Sequence, residues 1–235
     1  IFTQSSRDPA PVVVGPAHPC PYLPNRDARF AYAVRMPDGM EGFGELLDAG
    51  FRRSGLYVYR TACESCEACR PLRIAVADYR PNRAQTRALK ANVDLEVSLG
   101  RPELTGEKLD LFRRYLAARH DGQMSADRED VEAGLYRSPV ETLELVARLR
   151  GRLMTIGILD LTPKVLSLVY CAYDPDFPKR SLGTAFVGWT IALAATLGRP
   201  YVHLGYRVAE APNMAYKARF RPHEILDSDG VWRSG

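Results

Sequence analysis

The 235-residue chain has no apolar run long enough to cross a bilayer, so no membrane span or membrane partner is expected. Ile1–Val14 has no basic stretch leading into an apolar core, so no secretory leader is read there. A large excess of one charge sign is also lacking. Lys and Arg number 32 against 28 Asp and Glu, a net +4 that permits a polyanionic partner without demanding one. The cysteine count is five, and an odd number with three in Cys63-x-x-Cys66-x-x-Cys69 argues against a disulfide framework. The reducing cytosol is therefore the expected compartment. Internal repeats are lacking, and the only biased tract is Ser5–Pro16, which reads as a loosely held arm.

What is present divides in two. Residues 1–98 read as a cysteine-bearing module. It carries a helix over Gly42–Ala49, a turn at Gly50–Gly55, strands at Leu56–Arg60 and Leu72–Ala77, and a basic helix over Arg83–Ala91. Residues 99–235 read as an α/β domain. Helices are expected over Gly106–His120 and Ala126–Tyr136, the second capped by Ser125. Strands follow at Thr142–Leu149 and Leu153–Leu161, with Gly157 marking a bulge. A final helix over Ala211–Phe220 and an end strand over Ile225–Trp232 complete the order.

Val165–Gly205 is the most informative stretch. An apolar strand, Val165–Tyr173, stops at Asp174-Pro175-Asp176. Arg180-Ser181-Leu182-Gly183-Thr184 opens a helix to about Leu197, and Pro200–Gly205 reads as the next strand. Free amides at a helix start favour an anion, and a glycine there admits a ligand closely. The Arg-x-x-Gly turn resembles the acyl-donor loop of GNAT acyltransferases, and an ordinary βα turn is the plainer reading. Cys63, Cys66 and Cys69 need a fourth ligand to close a site; Cys20 is the natural candidate and His18 the alternative. Zinc and an iron–sulfur cluster both suit four thiolates, and unligated cysteines remain the alternative. Cys171, inside an apolar strand, reads as a small hydrophobe. No organic cofactor is called for.

Taken together, several blocks look familiar: Cys20-Pro21-Tyr22-Leu23-Pro24, Gly50–Gly55, Tyr59-Arg60 with Cys63–Cys69, and Asn92-Val93-Asp94-Leu95. Tyr173–Asp176, Ser181–Thr184, Leu204-Gly205-Tyr206 and Met214–Pro222 extend the series. In this order they resemble the bacterial aminoacyl-tRNA–protein transferases, the leucyltransferase branch of the arginyltransferase family. The resemblance implies a GNAT-like domain. It would move leucine from Leu-tRNA to the α-amine of proteins beginning with Asp or Glu, marking them for N-degron degradation. Arginyl transfer, a coenzyme A-dependent N-acetyltransferase and a non-catalytic tRNA-binding module are the competing readings.

An activated ester and an amine need no covalent enzyme intermediate, only attack geometry, a proton acceptor and oxyanion stabilisation. Asp174 and Asp176 are candidates to hold the acceptor's ammonium, or are turn residues. His120 is a candidate base or a structural histidine. Arg119, Lys217 and Arg219 are candidates for the acceptor's acidic side chain. Arg180, Ser181, Gly183 and Thr184 form the donor loop. Tyr206 and Tyr216 contact the terminal adenine or belong to the core. Arg83, Arg87 and Lys90 are the expected tRNA backbone contacts. Two departures from the family pattern are Arg207, where an aromatic is usual, and Asn213, where Lys is common.

Overall fold

A computed structural model describes residues 2–3, 9–35, 39–119 and 124–235, the first two by backbone alone. The chain opens with β1 (Phe2–Thr3), β2 (Val12–Val14), β3 (His18–Pro19), β4 (Asp27–Ala28) and β5 (Phe30–Ala33). Helix α1 (Gly39–Asp48) leads into the hairpin β6 (Arg52–Ser54) and β7 (Tyr57–Thr61). Then come β8 (Arg70–Ala75), α2 (Arg83–Lys90), β9 (Glu96–Gly100), α3 (Gly106–Arg119) and α4 (Arg128–Val131). Strands β10 (Thr142–Leu149), β11 (Arg152–Leu161) and β12 (Val165–Tyr173) precede α5 (Leu182–Thr196) and β13 (Tyr201–Arg207). Helix α6 (Pro212–Ala215), β14 (Glu224–Leu226) and β15 (Trp232–Ser234) end the order.

Eight strands form one mixed sheet in the order β15-β14-β8-β13-β12-β11-β10-β9, and five form a smaller sheet, β1-β2-β5-β7-β6. All the large-sheet pairs are antiparallel except β12 with β13, which are joined through α5. This mixed α/β arrangement is the fold class expected. Strand β8 and helix α2, both within the first 98 residues, belong with the large sheet, β8 as an interior strand and α2 packed on α5.

Apolar residues cover both sheet faces. Phe186, Val187 and Ile191 of α5 pack on Leu159, Leu166 and Val202. Leu109, Phe112 and Leu116 of α3 pack on Ile156 and Ala172. Gly157 answers to this packing rather than to a bulge of its own: a Cβ there would lie 1.9 Å from the Phe186 ring. The small sheet closes on α1 through Phe43, Leu46, Leu47 and Phe51. Arg53 and Asp160, both buried, tie β6 to β11, with the guanidinium Nε 3.0 and 2.9 Å from the two carboxylate oxygens.

Several local expectations are corrected. Gly50–Gly55 is not one turn, because Arg52–Ser54 pairs with β7 and the reversal falls at Gly55-Leu56. Val12–Val14, expected in a loose arm, pairs with β5. Ser125 does not cap its helix; its hydroxyl accepts from the Asp127 amide, and the helix begins at Arg128 and widens to a π turn over Glu132–Tyr136. The last helix is one short turn plus a 3-10 turn, and the end strand is a hairpin. Strand β9, at the edge of the large sheet, was not anticipated; its Val97 and Leu99 alternate with polar residues over a short stretch, yet all five residues are exposed. No helix among the described residues is long and apolar enough to cross a membrane.

Candidate active site

Strands β12 and β13 pair only from Val165↔Tyr201 to Ser167↔His203. Beyond that point they part, and the sheet opens at the level where α5 begins. Ser181, in the left-handed region with φ 50°, ends the turn before α5 without a side-chain cap. Its carbonyl accepts from the Thr184 and Ala185 amides at 3.0 and 3.1 Å. Among the described residues, the Leu182 and Gly183 amides are left as the open donors of the helix start. Gly183 has a packing reason as well, since a Cβ would come 2.9 Å from the Tyr173 ring. Arg180 is not free for a donor phosphate: it grips Asp94 at 2.7 and 2.9 Å and the Ala91 carbonyl at 2.9 Å. Asn92 donates to the Arg180 carbonyl at 2.7 Å, so the Asn92–Leu95 block fastens α2 to the loop.

Asp174 is buried and already held. Arg114 reaches it at 2.7 Å, Arg152 at 2.6 Å, and the Asp176 amide donates to it at 3.1 Å. Burial alone would raise its pKa, but the Arg114 and Arg152 hydrogen bonds outweigh that and leave it lowered. Its carboxylate is thus committed to shaping the turn, not to an incoming ammonium. Asp176 is exposed and stands 3.4 and 3.5 Å from the same two arginines. Thr184 is half-buried in the first turn of α5.

Two basic side chains reach the backbone of the parted strands. Arg52 donates to the Leu168 carbonyl at 2.9 Å. Lys217, buried, donates to the Tyr206 carbonyl at 2.8 Å. Burial, and then the Arg52 charge, push the Lys217 pKa well below its ordinary value, and its ammonium-bearing end is turned to a backbone carbonyl inside the protein rather than to the surface. The Tyr206 hydroxyl donates to the Gly50 carbonyl at 3.1 Å and accepts from the Thr61 amide, which makes it a core tie between the two sheets. Tyr216 is half-buried beside the Cys171 and Tyr173 side chains. Arg119, exposed at the end of α3, lies 5.8 Å from the Tyr173 ring centroid. His120 lies outside the described residues.

Arg83, Arg87 and Lys90 are exposed at helical spacing along α2. Asn82 caps that helix, Gln85 completes the capping box, and both donate to the Arg219 carbonyl, so Arg219 sits at the start of the same helix. The four cysteines Cys20, Cys63, Cys66 and Cys69 line one pocket. Burial and then the charges of the other three push Cys69 up to about 12. Nitrogens reach two of the sulfurs: the Leu23 amide lies 3.4 Å from Cys20 and Arg26 lies 3.4 Å from Cys66. As placed, no three His, Cys, Asp or Glu side chains among the described residues converge on a common ion position. The donor set nonetheless fits four-thiolate ligation in type and number. His18 turns Nδ1 to the Pro19 carbonyl and its ring to Phe30. Beside the cysteines lies a cleft of about 670 Å³, lined by Arg60, Arg70, Asp227 and Tyr206 among others.

Sequence reasoning missed Arg52, Arg114, Arg152 and Tyr115. Arg52 was hidden in a block read as a turn, and the others have no local motif, because their partners lie 22 or more positions away.

The comparisons with known proteins agree. Family models described as arginine-tRNA-protein transferase, N terminus and C terminus, match residues 18–87 and 107–227. An aspartate/glutamate leucyltransferase of Halorhodospira halophila is 42% identical, over 92% of this chain and 94% of its own. One from Pseudomonas aeruginosa is 41% identical over 89% and 90%. Among solved structures, a C-terminal domain from Agrobacterium fabrum, in a protein named as a lysylphosphatidylglycerol synthetase, aligns with a TM-score of 0.50 at 15% identity. That alignment covers 81% of this chain and 62% of the other, and it speaks to the fold alone.

Proposed function

The chain belongs to the arginine-tRNA-protein transferase family, and from that premise we propose the following reaction and division of labour for it. It is an aminoacyltransferase that moves leucine from Leu-tRNA to the α-amine of proteins whose first residue is Asp or Glu, which marks them for degradation. The observation that carries the site assignment is the parting of β12 and β13 beside the open amides of α5. A polyanionic donor crosses the basic face of α2, which Asn92 fastens to the α5 loop, and its 3′ end reaches the α5 amides. The acceptor amine attacks the ester carbonyl, the tRNA 3′ oxygen leaves, and a peptide bond forms.

Arg119 is exposed, and among the described residues it has no carboxylate partner, which suits it to hold the acceptor's acidic side chain. Cys20, Cys63, Cys66 and Cys69 would hold a zinc ion or an iron–sulfur cluster, pinning the Cys63–Cys69 loop to the Cys20 loop. Its contribution would be structural.

The test mixes the protein with labelled Leu-tRNA or Arg-tRNA and peptides beginning with Asp, Glu or Ala. Leucine reaching only the Asp and Glu peptides supports the reading. Transfer from Arg-tRNA instead overturns the donor, and acetyl transfer from acetyl-coenzyme A without tRNA overturns the reaction.

A further inference from the structure

At the free edge of β12, four tyrosines stand around one corner. Tyr115 of α3 meets Tyr170 edge-on at 6.2 Å and 89°, and Tyr173 at 4.8 Å and 64°. Tyr170 and Tyr173 leave β12 on opposite faces, one in the α3 cluster and one in the α5 cluster. Tyr115 therefore wraps the edge that β13 has left. Tyr216 and Cys171 join from the α5 side, and Met124 Sδ lies 3.7 Å from the Tyr170 hydroxyl. Met124 is exposed and the other five side chains are half-buried. The corner adjoins the donor loop directly, since the Tyr173 ring packs on Gly183.

We propose that this tyrosine-walled corner receives the side chain of the aminoacyl group being transferred, and that its shape selects a branched aliphatic group. The inference rests on the transferase reading above. Three observations choose the occupant. The corner touches the loop at which the donor's 3′ end arrives. Its rings meet edge to face at 89° and 64°, an angled wall that suits a branched chain better than a flat stacking platform. Cations flank it, Arg119 over Tyr173 and Arg52 near Tyr216, so a positively charged side chain is repelled and an apolar one gains from burial.

The experiment charges one tRNA with leucine, valine or phenylalanine and measures kcat/KM for each on an Asp peptide. Ratios between donors do not depend on the folded fraction. In Cys171→Val the corner is narrowed, and the leucine-to-valine ratio falls tenfold or more, in keeping with the ~10–200-fold worth of one methylene mismatch. In Tyr115→Ala the corner is widened, and the phenylalanine-to-leucine ratio rises by a similar factor. Binding of uncharged tRNA stays within twofold of wild type in both. Ratios unchanged in both variants overturn the proposal. So does a loss of uncharged-tRNA binding that accounts for the lost transfer, which would make the tyrosines an adenine platform. No transfer by the wild type from any charged tRNA overturns the function itself, a result distinct from either.

Discussion

Gly205 and Arg52 share one volume, and that gives a sharp test of how the sheet is held open. Gly205 has φ +76°, and a Cβ there would fall 0.9 Å from Arg52 Nη1. Alanine at this position incurs the left-handed strain, about 1–2 kcal/mol. It also expels the guanidinium from the Leu168 carbonyl, and a hydrogen bond from a charged donor is worth about 1.5–3 kcal/mol. Gly205→Ala should therefore cost about 2.5–5 kcal/mol. Arg52→Ala alone loses the hydrogen bond and should cost about 1.5–3 kcal/mol. In the double variant the guanidinium is lost only once, so it should be no less stable than Gly205→Ala alone. The coupling energy is then about 1.5–3 kcal/mol. Urea denaturation of the four proteins measures it. In thermal melts Gly205→Ala should fall by roughly 5–20 °C for a chain of this size. Additivity of the two single variants to within about 0.5 kcal/mol would falsify the shared-volume argument.

Three further outcomes are expected. Asp174→Asn should destabilise by about 2–3 kcal/mol at neutral pH, less than the ~3–6 kcal/mol of two fully buried charged hydrogen bonds because both arginines are half-exposed. The Asp174 pKa is lowered in the folded protein, so its contribution is present above the ordinary value of 3.8 and is lost as pH falls through the folded value. The gap between wild type and variant should thus close below pH 3.8, and a gap that widens there contradicts the pairing. Replacing Arg83, Arg87 and Lys90 by Glu should leave stability within about 0.5 kcal/mol, since all three are exposed. It should raise KM for Leu-tRNA and reduce the salt slope of binding by about one unit per lost phosphate contact. Metal analysis of the purified protein should find zinc, or iron with sulfide, that disappears in Cys63→Ser, and full retention of metal in that variant would remove Cys63 from the ligand set.

The sequence by itself determined the elements whose signals are local. The apolar run Val165–Tyr173, the breaker Asp174-Pro175-Asp176 and the Gly198 stop define strand, loop and helix wherever the chain folds, because they act through neighbouring backbone. The Cys-x-x-Cys-x-x-Cys spacing was equally legible, and with Cys20 it identified the side chains that line one pocket. Only the tertiary structure decided what those elements present. Asp174 looks like a catalytic carboxylate until Arg114 and Arg152 arrive from 60 and 22 positions away. Lys217 looks like a surface cation until the fold buries it against the Tyr206 carbonyl, where burial and Arg52 lower its pKa. Tyr115 gives a helical spacing and nothing more, and its place at the free edge of β12 exists because β13 turns away after His203. Burial, charge pairing and the parting of two strands depend on residues far apart in the chain, and no local pattern encodes which of them will meet.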